Sequence, residues 1–95
     1  ADCTRIVDLI VAKYRPRRIW QWGSLLNREQ FCEWSDIDLA LEGITRAEEY
    51  FALLGDAMEL TSFPIDIVQM EKIEPEFAGI IRMKGLLLYN NEHGK

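Results

Sequence analysis

Asp36 and Asp38 stand one residue apart in SDIDLALE, residues 35–42, and a third aspartate, Asp66, sits in the similar run IDIV, residues 65–68. Both runs alternate with a period of two, the spacing of a half-buried strand. On the first, Asp36, Asp38, Ala40 and Glu42 share one face, while Ile37, Leu39 and Leu41 share the other. On the second, Asp66 and Val68 lie opposite Ile65 and Ile67. If the two strands are neighbours, three carboxylates gather on one side of a sheet. Such charges repel one another and cost stability unless a cation sits between them. Carboxylate oxygens are the preferred ligands of Mg²⁺. Two divalent ions bridged by carboxylates are a known device for phosphoryl and nucleotidyl transfer.

Gly23-Ser24 supplies the matching phosphate site. The pair ends a short β-rich run over residues 17–22 and opens a short helix over residues 24–30, with Ser24 at its N-cap. Glycine permits a close backbone approach. The serine hydroxyl and the first N–H groups of the helix can hold a phosphate, and Arg28, one turn on, can add a charge-assisted contact. Taken singly, each feature has a plainer reading: a Gly-Ser turn, a solvent-facing Asp-x-Asp, an edge-strand aspartate. The combination is more specific: strand, Gly-Ser, helix, a spacer of eleven residues between Ser24 and Asp36, Asp-x-Asp on a strand, then Asp66 on a later strand.

The elements that must position these groups follow from periodicity. Apolar residues at 6, 9, 10 and 14 predict a helix over residues 3–14, ended by Pro16. Residues 31–35 read as a loop into the 35–42 strand. Gly43 marks a turn, and Thr45-Arg46-Ala47-Glu48 has the form of a capping box opening a helix that ends near Leu60. Residues 63–70 read as a strand. Pro75 opens a last helix running to Lys84, with Gly85 at its C-cap. Residues 86–89 are either a final strand or an extended tail docked on the body. Helices alternating with strands predict an α/β or α+β sheet layered with helices, and 95 residues make one domain, 1–95.

The balance of 16 acidic and 11 basic residues, net charge −5, argues against a protein that grips nucleic acid along its backbone. Lys13, Arg15, Arg17 and Arg18 cluster around Pro16 and read as a solvated loop, the alternative being a rim that attracts an anionic ligand. The apolar fraction of 48% fits a folded chain. A chain this short leaves apolar residues exposed, and a partner or a second copy is the ordinary remedy. No run approaches a membrane span. Cys3 and Cys32 read as reduced thiols of a cytoplasmic protein, and with one histidine, His93, they make no zinc site.

WGS at 22–24, SDIDLALE at 35–42, IDIV at 65–68 and the closing IIRMKGLLLYN at 80–90 together resemble the polymerase-β-like nucleotidyltransferase superfamily. In particular the chain looks like its minimal nucleotidyltransferases (MNT), commonly the antitoxin half of HEPN/MNT toxin–antitoxin pairs. The resemblance implies a small mixed sheet with helices packed mainly on one side. It also implies Mg²⁺-dependent transfer of a nucleoside monophosphate, AMP from ATP, to a hydroxyl. Asp36 and Asp38 would then bind two metal ions. Asp66 would be the third carboxylate, a metal ligand or a base. Gly23 and Ser24, with Arg28, would hold the triphosphate. With no acceptor domain in these residues, the acceptor would be a partner, a tyrosine on a HEPN toxin. Family members often read Gly-Ser-x-Ala-Arg-Gly, whereas this chain reads Gly-Ser-Leu-Leu-Asn-Arg-Glu over residues 23–29. The second glycine is missing, the arginine is shifted by one position, and Glu29 brings a negative charge. The alternative reading is therefore an antitoxin of little or no catalytic activity that neutralises a HEPN-type toxin by binding alone. Trp22 stands where phenylalanine is frequent, and Trp20 reads as a core or partner-contact residue.

Overall fold

The computed structural model describes residues 2–22, 37–62 and 64–91, with side chains from residue 4 onward. Helix α1 (Asp2–Tyr14) buries Ile6 and Ile10, one turn apart on its apolar stripe. It stops where the sequence requires. Arg15 takes a left-handed φ of 55°, its N–H donates to Ile10 O at 3.1 Å, and the buried Pro16 follows. Strands β1 (Arg18–Gln21) and β2 (Ile37–Glu42) pair antiparallel. Helix α2 (Ala47–Leu60) leads to β3 (Ile65–Gln69), which pairs with β2 in parallel. Helix α3 (Pro75–Lys84) starts on its proline and ends at Gly85, whose N–H donates to Ile81 O at 2.8 Å. The closing LLLYN run is a strand, β4 (Leu86–Asn90), antiparallel to β1 with a register shift between Ile19 and Trp20. The sheet is mixed, in the order β3-β2-β1-β4.

The alternation read from the sequence sorts the sheet into two faces. Ile19, Ile37, Leu39, Leu41 and Ile67 pack beneath Ile6 and Ile10 of α1 and Leu53 and Ala57 of α2, forming the larger core. Trp20 and Ala40 face the other way and pack with Met70 and with Ala78 and Ile81 of α3. Two of the three described helices thus share one side of the sheet, and α3 covers part of the other. The face expected simply to present carboxylates is therefore apolar in its middle, where Ala40 is buried.

The turn after β2 is fixed by close approach. Gly43 has φ +101°, and a Cβ there would stand 2.8 Å from the backbone nitrogen of Arg17, so only glycine fits. The Gly43 N–H donates to Glu71 Oε2 at 2.9 Å, and the Gln69 side-chain amide donates to Ile44 O at 2.9 Å. These bonds tie residues 43–44 to the turn after β3, and α2 starts beyond them. This alters the expected capping box. Arg46, extended at φ −82° and ψ 134°, is the N-cap residue and makes no side-chain cap bond. Glu48 is engaged by Arg46 Nη2 at 2.9 Å instead. The expected 24–30 helix lies outside the described residues, as do Gly23, Ser24, Arg28, Asp36, Cys32 and His93.

Part of the basic cluster is neutralised within the chain. Lys13 Nζ and the Tyr14 hydroxyl both donate to Asp56 Oδ2, at 2.8 and 2.7 Å, joining α1 to α2. The hydrogen bonds from Lys13 and Tyr14 hold the Asp56 carboxyl below its usual range. The bond to Asp56 raises Lys13 and Tyr14 in turn. A depressed carboxylate stabilises the fold above its unfolded pKa of 3.8 and loses that contribution as pH falls through the lowered folded value. Asp56→Asn is accordingly expected to lower the thermal midpoint by a constant amount near neutral pH. The gap to wild type should close as pH drops below about 4, read by thermal denaturation across a pH series.

Candidate active site

Three strand ends meet at one end of the sheet. β1 runs out at Gln21, and the next N–H, that of Trp22, donates to Asp38 O at 3.0 Å. β2 enters at Ile37, whose N–H donates to Pro64 O at 2.9 Å, just before β3 begins. β1 therefore ends, and β2 begins, at this same end of the sheet. Here the parallel register pairs Asp38 directly with Asp66. Paired residues of neighbouring strands point to the same face, and neighbouring strands lie about 4.8 Å apart. Two carboxylates thus stand side by side on the α3 side of the sheet. Asp38, on an inner strand, is half-buried, whereas Asp66, on the edge strand, is exposed. The sequence expectation that the two aspartate strands are neighbours holds for this pair. Asp36, two residues ahead of Asp38, precedes β2 and is not described.

Glu42 shares the face of Asp38 but is not part of this constellation. It sits at the far end of β2, bonded by Arg18 Nη1 at 2.6 Å and approached by Arg82 Nη2 at 3.8 Å. Its charge is answered by two guanidinium groups. No group of three metal-ligating side chains occurs among the described residues. Two adjacent carboxylates are nevertheless a donor set that suits Mg²⁺. That ion is usually held by one or two carboxylates, with waters and substrate phosphates filling the remaining positions. The residues present fit such an ion.

The surroundings of the pair are aromatic and apolar. Trp20, Ala40 and Val68 extend the same face away from the aspartates toward α3. Trp22 meets Phe77 of α3 edge-on, with ring centroids 5.6 Å apart. Its indole Nε1–H donates to Leu39 O at 3.0 Å. From the other side of the sheet, the Tyr50 hydroxyl of α2 donates to Ile67 O at 2.6 Å, one residue past Asp66. Burial, and then the negative charge of Asp66, hold the Tyr50 hydroxyl above its usual pKa. The roles of Trp22 and Phe77 were missed in the sequence. The period of two linking Trp20 and Trp22 was available as a signal, but placing them beside Asp38 needed the β1–β2 register.

The chain matches the family "Polymerase beta, Nucleotidyltransferase" over residues 5–94. Among solved structures, it is similar to a chain of a structure described as the toxin–antitoxin MntA-HepT. The TM-score is 0.70 at 14% sequence identity, covering 98% of this chain and 74% of that one, a likeness of fold. No curated protein matches.

Proposed function

Because the chain belongs to the polymerase β nucleotidyltransferase family, we propose that it transfers a nucleoside monophosphate, AMP from ATP, to a hydroxyl on a partner protein. The observation that carries this reading is the pairing of Asp38 with Asp66 at the sheet end where β1 stops and β2 starts. Asp38, with Asp36 two residues before it, holds the divalent ions. Mg²⁺, when bound, neutralises the triphosphate and polarises its α-phosphorus for attack. Gly23 and Ser24 hold the phosphates through backbone N–H groups and a hydroxyl, and Arg28 adds a cation. Asp66, exposed on the edge strand beside Asp38, is the third carboxylate, either a further ligand of the divalent ions or the base that takes the hydroxyl proton. The acceptor oxygen then bonds to the α-phosphorus, the α–β bridging P–O bond breaks, and pyrophosphate leaves.

The likeness to a toxin–antitoxin structure supports a toxin as acceptor, of the HEPN type, and an antitoxin role for this chain. Among the described residues no helix is long and apolar enough to cross a membrane. Incubation with α-labelled ATP, Mg²⁺ and the toxin tests the proposal. A labelled toxin band that depends on the wild-type chain is expected. Its absence, with the chain folded and the toxin bound, overturns the transfer reading.

One observation favours the second reading, neutralisation by binding alone. The outer face of α2 carries Phe51, Ala52, Gly55 and Met58 at helical spacing, and Phe51 and Met58 are 65% and 60% exposed. A contiguous apolar stripe of this kind suits a protein contact. Phe51→Glu with Met58→Glu is expected to weaken toxin binding at least tenfold, a loss of about 1.4 kcal/mol, in a titration by calorimetry. Unchanged affinity places the contact elsewhere.

A further inference from the structure

Trp22 is the residue that joins β1 to the Gly23-Ser24 segment, and it also grips the strand that carries Asp38. Its backbone N–H donates to Asp38 O and its indole N–H to Leu39 O, both at 3.0 Å. The ring itself is braced edge-on by Phe77 at 5.6 Å. Two consecutive carbonyls of β2 are therefore held by one side chain and its own backbone. Asp38 is the second residue of β2, at the end of the strand, where the ladder begins. Strand ends open more readily than strand middles, and a carboxylate on a fraying end is poorly aimed.

Resting on the metal-site reading above, we propose that Trp22 is a positioning residue. Its indole bond to Leu39 O fixes the backbone of β2 beneath Asp38, so that the carboxylate is preset for a divalent cation. A phenylalanine at this place keeps an aromatic ring and the backbone N–H but has no donor for Leu39 O. The indole bond is the part that phenylalanine cannot supply. Groups that orient a metal ligand without touching the metal typically contribute between about tenfold and a hundredfold to affinity.

The test is Mn²⁺ binding to the full chain, followed by the electron paramagnetic resonance signal of free Mn²⁺, which needs no turnover. Wild type, Trp22→Phe, Phe77→Leu and Asp38→Asn are compared, with thermal midpoints measured alongside. Trp22→Phe is expected to bind Mn²⁺ about tenfold more weakly. Phe77→Leu, which removes the ring contact but neither bond, should bind like wild type. Wild-type affinity in Trp22→Phe overturns the proposal and leaves the metal site standing. Equal weakening in Trp22→Phe and Phe77→Leu also overturns it, since packing alone then accounts for the effect. If wild type binds no more Mn²⁺ than Asp38→Asn, the metal-site reading itself fails, and the positioning role falls with it.

Discussion

Asp38→Asn is expected to slow nucleotidyl transfer by roughly a thousandfold while leaving the chain folded. The substitution keeps the size of the side chain and its place on β2 beside Asp66. It removes the charge that would hold a divalent ion, and such an ion contributes several kcal/mol of transition-state stabilisation, where about 4 kcal/mol corresponds to about a thousandfold in rate. The effect on stability should be small. Asparagine keeps the shape of the half-buried side chain and can still accept a hydrogen bond, so the thermal midpoint in EDTA is expected to shift by no more than about 5 °C. Initial rates of label transfer and thermal denaturation of the same samples check both halves. A large rate loss accompanied by unfolding removes the metal-ligand explanation.

The largest effect on stability is expected at Leu39, the neighbour of Asp38 on the opposite face. Leu39 is fully buried on an inner strand, within the cluster that joins α1, α2 and three strands of the sheet. Truncation to alanine removes the transfer free energy of its side chain and leaves a cavity that packed neighbours fill only in part. The cost is about 3 kcal/mol. For a domain of this size, that lowers the thermal midpoint by roughly 15 °C. Ile80→Ala is the control. Ile80 is 48% exposed on α3, and its truncation is expected to cost about 1 kcal/mol or less. Urea unfolding of the two variants measures the difference, and similar losses in both would contradict the assigned core.

Much of this fold was legible because its strands are short and strictly alternating. The period of two in residues 37–42 sets Leu39 and Leu41 against Asp38 and Ala40, and, Ala40 apart, the buried and half-buried residues follow that division. Pro16, Gly43, Pro75 and Gly85 marked turns and helix ends through local chemistry that tertiary packing did not override. The capping box failed because it is also a local rule, and here longer-range bonds from Glu71 and Gln69 set the entry to α2. Ala40 shows a second limit. Its small side chain on the carboxylate face gave no sign that α3 would cover it, since covering depends on where a helix 35 residues later returns.

The candidate site was legible as a set of residue types but not as a register. That Asp66 could join Asp38 followed from matching patterns. Whether it does depends on the parallel pairing of β2 with β3, which pairs 38 with 66 and sets the strand order. The placing of Trp22 beside Asp38 has the same origin. It comes from one N–H bond across the β1–β2 pair, and nothing in the composition of either strand states it.

In the function proposed above, Asp38 holds a divalent ion for nucleotide chemistry. Crystals of the chain grown with Mn²⁺ and a non-hydrolysable ATP analogue would show this ion through the anomalous signal of the metal. The expected result is a peak about 2.1 Å from a carboxylate oxygen of Asp38, on the Asp66 side of the sheet, with triphosphate oxygens completing its shell. Nucleotide bound with no anomalous peak at Asp38, or a peak at another carboxylate cluster, would contradict the account.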